Sequence, residues 1–408
     1  MSNNNYVPSQ KVLEKYADVL VNFALGSGKG IKKGETVYLI VPEVAKPLLL
    51  EIEKAIFKAG GNMILRYVPD NTNRFGFGRE FFEHASSKQL AYFPEKYIKG
   101  LVDEVDHVMV ILGSTNPHAL QGINSKKIQQ HGLAYKPYID WRTEKEHKGK
   151  LTWTLALYGT DGMAQEANLS IEDYWEQIIK ACFLDAKNPI GEWKRVFNQI
   201  NITIKKLNIL DIDKVNVLGP DVDLWITIGE KRKWLGGSGA NIPSFEIFTS
   251  PDWRGTEGWI KFNQPLYRNG VLIDGIELTF KKGKVVKATA TKNEKALKDM
   301  IAAPNADKVG EFSLTDKRIS RITKFMADTL FDENMGGEYG NTHIAVGSAY
   351  ESTYAGDVSK LTQKQSEKLG FNDSAVHTDM FSTSPRTVTA YLRNGKEKVI
   401  YKDGEFTV

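Results

Sequence analysis

VYLIVPEVAKPLLLEIEKAIFKAGGNMILRYV, residues 37–68, decides how the first half of the chain is built. VYLIV (37–41) is a short apolar run of strand length. PLLLEIEKAIFKAGG (47–61) reads as a helix that stops at Gly60-Gly61, where glycine accepts the left-handed cap conformation. MILRYV (63–68) is a second strand, and HVMVILG (107–113) a third. Strands that alternate with helices predict parallel pairing in an α/β layer. Upstream, Val12, Leu13, Tyr16, Leu20 and Phe23 fall at helical spacing. Downstream, Ser170 to Asp173 has the Ser-x-x-Asp form of a capping box and opens another amphipathic helix.

After about residue 205 the pattern changes. IELTF (276–280) and KVVKATAT (284–291) flank a Lys-Lys-Gly-Lys turn and alternate at period two, which predicts a hairpin. TVTAYL and KVIY flank Asn394-Gly395, the strongest short-range hairpin signal. Between them, Ile319, Ile322, Phe325, Met326 and Leu330 form an apolar stripe that predicts a helix. The expected architecture is an α/β N-terminal domain (1–205) plus an α+β C-terminal domain with antiparallel strands (206–408). There is no internal repeat and no low-complexity segment.

Of the 408 residues, 41% are hydrophobic and 25% charged, the balance of an ordinary globular protein. A single cysteine, Cys182, excludes an intrachain disulfide and a zinc site built on thiolates. Acidic and basic residues are well mixed around a net charge of +4, and the clusters Lys231-Arg232-Lys233 and Lys281-Lys282 are short. Nucleic acid is therefore not an expected partner. No apolar run approaches the ~18–20 residues that span a bilayer, so no membrane segment is expected. MSNNNYVPSQ lacks the basic-then-apolar pattern of a secretory leader, which predicts a cytoplasmic protein. GSGKG (26–30) imitates a phosphate loop. It fails the Gly-x4-Gly-Lys-Ser/Thr spacing and precedes a strand instead of following one, so a mobile loop is expected. GGSGAN (236–241) fails the same test.

Seven histidines are present, five of them before residue 150: His84, His107, His118, His131 and His147. They lack metal-ligand spacing and are expected to be surface or capping residues. The other two keep different company. In AVHTDM, His377 and Asp379 are two apart, so an extended backbone puts both on one face. In GEYGNTHIAVGSAY, Glu338, His343 and Tyr350 share a glycine-rich stretch whose turns allow crowding around a centre. Glu311 follows Gly310 just ahead of a short strand, and Glu246 lies between Pro243 and Pro251. Each element alone fits an ordinary ion pair or cap equally well. Together, several carboxylates with a few imidazoles are the mixture that divalent ions need.

At these residues the chain resembles the aminopeptidase T and aminopeptidase S group of bacterial metalloaminopeptidases. The resemblance is carried by GANIPSFEIFTSP (239–251), VGEFSL (309–314), LFDEN (330–334), GNTHIAVGSAY (340–350) and HTDM (377–380), in the family's order. It extends over nearly the whole chain through KYADVLVNFALG. The resemblance implies metal ligation by Glu246, Glu311, His343, His377 and Asp379, with Glu338 a further candidate. It also implies a catalytic Tyr350 close to two divalent ions (zinc, cobalt or manganese) and Glu311 as both ligand and proton acceptor. Residues 206–408 would then be the catalytic domain, and 1–205 would shape access and support a homodimer acting on short peptides. Trp253 and Trp259 are candidates for the pocket wall or for the core. Other readings left open by the residues are a two-metal amidohydrolase without a free-amine requirement and a non-catalytic metal-dependent binding protein.

Overall fold

The computed structural model describes residues 6–72, 75–268 and 270–408. The first five residues of the polar start lie outside them. The chain divides into two compact units. One comprises Met1–Lys194, Ser238–Ser244 and Met326–Leu330; the other comprises Arg195–Gly237, Phe245–Phe325 and Phe331–Val408.

The first unit is the expected α/β layer. Strands β1 (Thr36–Pro42), β2 (Asn62–Val68), β3 (His107–Leu112) and β4 (Thr152–Leu157) are parallel in the order β2-β1-β3-β4. Val37, Leu39 and Val41 on one face of β1 and Tyr38 on the other are buried, as a strand covered on both faces requires. The helix Lys46–Lys58 buries Leu48, Ile52 and Ile56 at i, i+4 and i+8 and ends at Gly60, whose φ is +79°. Ser170 accepts a hydrogen bond from the Asp173 amide at 3.0 Å and caps the helix Ile171–Ala181.

His107 departs from expectation. It is buried at the start of β3, with Nε2 2.9 Å from Glu35 Oε2 and Nδ1 2.7 Å from Thr152 Oγ1, so it ties together the N-terminal ends of three neighbouring strands. The other four sit in exposed or partly buried places. His84 pairs with Glu80 on an exposed helix, His118 with Glu166, His131 lies among Phe81, Phe82 and Tyr135, and His147 ends the helix Lys136–His147. GSGKG forms a bonded turn at a helix end: the Gly26 amide donates to Thr152 Oγ1 and the Gly30 amide to the Leu25 carbonyl.

The second unit holds antiparallel sheets. One of eight strands has the order β13-β12-β9-β6-β5-β17-β18-β19. In chain order these are β5 (Ile212–Gly219), β6 (Val222–Thr227), β9 (Glu257–Lys261), β12 (Glu277–Lys281), β13 (Lys284–Thr289), β17 (Thr387–Leu392), β18 (Glu397–Lys402) and β19 (Glu405–Phe406). Both expected hairpins are present, β12–β13 across Lys282-Gly283 and β17–β18 across Asn394-Gly395. A second sheet has the order β16-β15-β14-β8, from β8 (Glu246–Thr249), β14 (Val309–Thr315), β15 (Asn341–Gly347) and β16 (His377–Ser382). β10 (Leu266–Arg268) and β11 (Val271–Ile273) form a separate hairpin. The remaining strand, β7 (Asn241–Ile242), pairs with β4 and extends the parallel sheet.

The expected boundary at residue 205 falls inside the helix Pro189–Ile209. One expectation is corrected: the stripe from Ile319 to Leu330 is not a helix, and only Thr329–Asp332 winds into one turn. Ile322, Met326 and Leu330 are buried, so the apolar spacing was genuine. The backbone is satisfied elsewhere, however. The Ile322 carbonyl accepts from the Gly336 amide, and the Met326 carbonyl accepts from the Tyr174 hydroxyl. Ala327 takes a positive φ, which a continuous helix does not allow.

Candidate metal centre

Strand alternation aims the site. Across β8, β14, β15 and β16 the register sets Glu246 opposite Thr315, Ser313 opposite His343, Glu311 opposite Ala345, Ala345 opposite Asp379, and Gly347 opposite His377. Three carboxylates and two imidazoles therefore share one sheet face, with the small residues Ser313, Ala345 and Gly347 leaving room between them. The alternate residues Ile247, Phe312, Leu314, Ile344, Val346 and Met380 are buried on the opposite face.

A bulge refines the aim of Glu311. The β14–β15 register slips between Val309 and Glu311, and the extra residue is Gly310. A Cβ there would lie 2.2 Å from the Ser348 carbonyl oxygen and 2.6 Å from that of Gly347. Gly347 is equally constrained, with φ +103° and a would-be Cβ 1.9 Å from the Val376 oxygen. Both glycines let backbones approach where ligand-bearing strands meet.

The imidazoles are oriented from behind. His343 Nδ1 faces the Glu333 carbonyl at 3.3 Å, and His377 Nδ1 faces the Ser348 carbonyl at 2.8 Å. A proton on each Nδ1 satisfies those contacts and presents Nε2 to the carboxylates, the tautomer control typical of histidine ligands. His343 Nε2 is 3.3 Å from Glu246 Oε2, 3.6 Å from Glu311 Oε1 and 3.9 Å from Asp379 Oδ1. His377 Nε2 is 3.3 Å from Glu311 Oε2 and 3.4 Å from Asp379 Oδ1. Ser313 donates to Glu246 Oε2 at 3.0 Å.

Burial and mutual charge shift every member whose titration is resolved. Desolvation, reinforced by the Glu311 charge, pushes Glu246 up to about 7 despite His343 and Ser313. Burial would also raise Asp379, but His377, His343 and Arg268 overcome it and hold the carboxyl at about 2. The two carboxylates differ because Asp379 meets both imidazoles and Glu246 only one. Burial opposes a charge on His343, yet Glu311, Glu246 and Asp379 raise it to about 9. His377 is raised well above its ordinary value by Asp379 and Glu311, again against desolvation. The Tyr350 ring lies against that of His377, with centroids 4.7 Å apart and planes tilted by 54°. Its residue is 41% exposed, and desolvation together with the charges of Glu311, Asp379, Glu333 and Glu246 raises the hydroxyl's hold on its proton.

Two three-donor groups emerge: Glu246, Glu311 and His343, and Glu311, His377 and Asp379. Donor atoms within each lie within 4.8 Å of one another, and Glu311 belongs to both. Oxygen and imidazole donors of this kind suit divalent ions of the zinc, cobalt and manganese type. Five of the six expected ligands are thus brought together. Glu338 is not: it is exposed on a turn beside Tyr339. Trp253 lies in a short 3-10 turn, with Lys308 over its ring, and Trp259 is part-exposed on β9. Sequence reasoning missed Glu333, whose carbonyl also accepts from Asn341 at 3.0 Å, although its motif LFDEN had been singled out. It also missed Arg268, which no motif signalled. A third group, Glu80, Glu83 and His84, is exposed, and Glu83 is already paired with Arg79 at 2.7 Å.

Residues 9–406 match the family described as thermophilic metalloprotease (M29). The chain belongs to that family. The resemblance read from the five motifs is borne out, and membership makes the protein a metal-dependent peptide hydrolase. Aminopeptidase PepS of Streptococcus thermophilus is 27% identical, over 97% of this chain and 98% of that protein. Aminopeptidase AmpS of Bacillus subtilis is 26% identical, over 98% of each. Aminopeptidase T of Thermus thermophilus is 25% identical, over 97% and 98%. The solved structure of wild-type AmpT from Thermus thermophilus superposes with a TM-score of 0.82 at 23% identity, covering 98% of this chain and 100% of that one, which shows that the M29 fold is shared.

The bulge makes a direct prediction. Gly310→Ala forces a Cβ into two backbone carbonyls and should lower stability by about 2 kcal/mol or more, measured by urea unfolding. An unchanged midpoint would show that the close approach is not required.

Proposed function

We propose that this M29 member is a metalloaminopeptidase that holds two divalent ions on its four-stranded sheet and releases N-terminal residues from short peptides. The observation that carries the reading is the double membership of Glu311. Its Oε1 faces His343 and its Oε2 faces His377, so one carboxylate serves both donor groups. Glu246 and His343 complete one site, and His377 and Asp379 the other.

Bound there, the ions supply Lewis-acid polarisation of a carbonyl and make a water acidic enough to ionise near neutral pH. The chain supplies the rest. Glu311 lies at the centre of the cluster, where it accepts the attacking water's proton and returns it to the leaving amine. Tyr350 keeps its proton because of its surroundings, and donates it in a hydrogen bond to the oxyanion as the tetrahedral centre forms. The free α-ammonium of the substrate is attracted by this carboxylate-rich face, which restricts cleavage to the chain's N-terminus. Glu338, exposed on its turn, is left out of the ligand set.

A homodimer and a cytoplasmic location belong to the same proposal. The lone cysteine, Cys182, is free and buried, which is compatible with a reducing compartment. Among the described residues no helix is long and apolar enough to cross a membrane.

Three measurements test this reading. Protein stripped by chelator should lose hydrolysis of leucyl- and arginyl-nitroanilide and regain it with zinc, cobalt or manganese, while N-acetylated substrates stay intact. Hydrolysis of the acetylated compounds would replace the aminopeptidase with a broader amidohydrolase. Tyr350→Phe should retain its metal content and KM but lose about 10²–10³ in kcat; near-normal turnover would remove the oxyanion role. Light scattering should give twice the chain mass, and a fully active monomer would end the dimer proposal.

A further inference from the structure

Arg268 closes β10, and the β10–β11 hairpin packs against β16, the strand that carries His377 and Asp379. Its Nη1 donates to the His377 carbonyl at 3.2 Å and to the Thr378 hydroxyl. The guanidinium is therefore seated on the backbone between two residues of the metal centre. Asp379 feels its charge, yet among the described residues no carboxylate forms an ion pair with it.

A guanidinium has five N–H donors. Nη1 uses two here. The three on Nε and Nη2 have no hydrogen-bond partner among the described residues, and the side chain is half-buried. Arginine remains a cation in such surroundings. A half-buried guanidinium with no carboxylate paired to it is a ready seat for an anion. The open edge, with Nε–H and Nη2–H side by side, is the fork that binds a carboxylate through two parallel hydrogen bonds.

We infer that Arg268 receives the free C-terminal carboxylate of a dipeptide or tripeptide substrate. The inference rests on the aminopeptidase reading and narrows its substrate class. The assignment puts the terminal carboxylate one or two residues beyond the scissile bond, at about 3.3–3.6 Å per extended residue. Longer peptides put an amide there, which offers the fork no negative charge.

The test compares leucyl-leucine with leucyl-leucinamide, using metal-loaded wild type, Arg268→Met and Arg268→Lys, with metal content measured for each. Wild type should favour the free acid by about 10- to 100-fold in kcat/KM, the range for a hydrogen-bonded charged group. The preference should reside mainly in KM, because the carboxylate is distant from the bond being broken. Arg268→Met should bring the acid-to-amide ratio close to one. Arg268→Lys should recover part of it, since lysine keeps the charge but not the fork. A wild-type ratio near one, or a ratio that survives Arg268→Met, overturns the assignment. The wild-type comparison stands even if a variant fails to fold. Absence of any leucyl-nitroanilide hydrolysis by the metal-loaded protein overturns the aminopeptidase reading and this assignment with it, whereas turnover without an acid preference overturns only the role of Arg268.

Discussion

Mutual repulsion among Glu246, Glu311 and Asp379 is the constraint around which the second unit is built. Three carboxylates converge on one buried sheet face, and unit charges 4 Å apart repel by roughly 4 kcal/mol even at the effective dielectric near a protein surface. His343 and His377 offset part of that repulsion from the same face. The opposite face anchors the strands, because Ile247, Phe312, Leu314, Ile344, Val346 and Met380 bury their side chains there. Each such burial contributes about 1.5–3 kcal/mol. Period-two alternation thus couples an apolar surface that stabilises the sheet to a charged surface that strains it. The ligands stay where they are because their backbones cannot separate without exposing the core.

Side-chain size sets how closely the charges approach. Ser313, Ala345 and Gly347 occupy the middle rows of the charged face, where larger residues would fill the centre. Gly310 and Gly347 then let the ends of three strands press together, and the bulge at Gly310 turns Glu311 inward. Polar contacts from outside complete the geometry. Carbonyls of Glu333 and Ser348 fix the two imidazoles, and Asn341 fixes the Glu333 carbonyl in turn. Supporting contacts of this kind usually matter nearly as much as the ligands themselves.

This division of labour explains what could be read from the sequence. The parallel sheet was legible because β1 and β3 are buried on both sides and read as unbroken apolar runs. The hairpins were legible from Lys-Lys-Gly-Lys and Asn-Gly. His377 and Asp379 were legible as a pair because strand period puts them on one face. Glu246 and Glu311 stood out only weakly, by their proline and glycine neighbours, since they meet through the register of strands far apart in the chain; the family resemblance supplied their role as ligands. The apolar spacing from Ile319 to Leu330 marked burial correctly but not helicity, because remote groups take the backbone hydrogen bonds. His107 looked ordinary because neither Glu35 nor Thr152 is its neighbour in sequence. A two-residue strand such as Asn241–Ile242 carries too little pattern to be seen at all.

The imidazoles have two tasks that compete. Protonated, they are the cations that make three neighbouring carboxylates tolerable, which is why His343 is raised to about 9 and His377 well above its ordinary value. As ligands they must give up the proton at Nε2. A divalent ion therefore displaces positive charge as it adds it, and metal affinity is coupled to proton release and to folding. Carboxylates alone would bind the ion more strongly by charge but would leave the sheet poorly stable without it. Two imidazoles among three carboxylates allow the same face to persist while either kind of cation occupies the space between the strands.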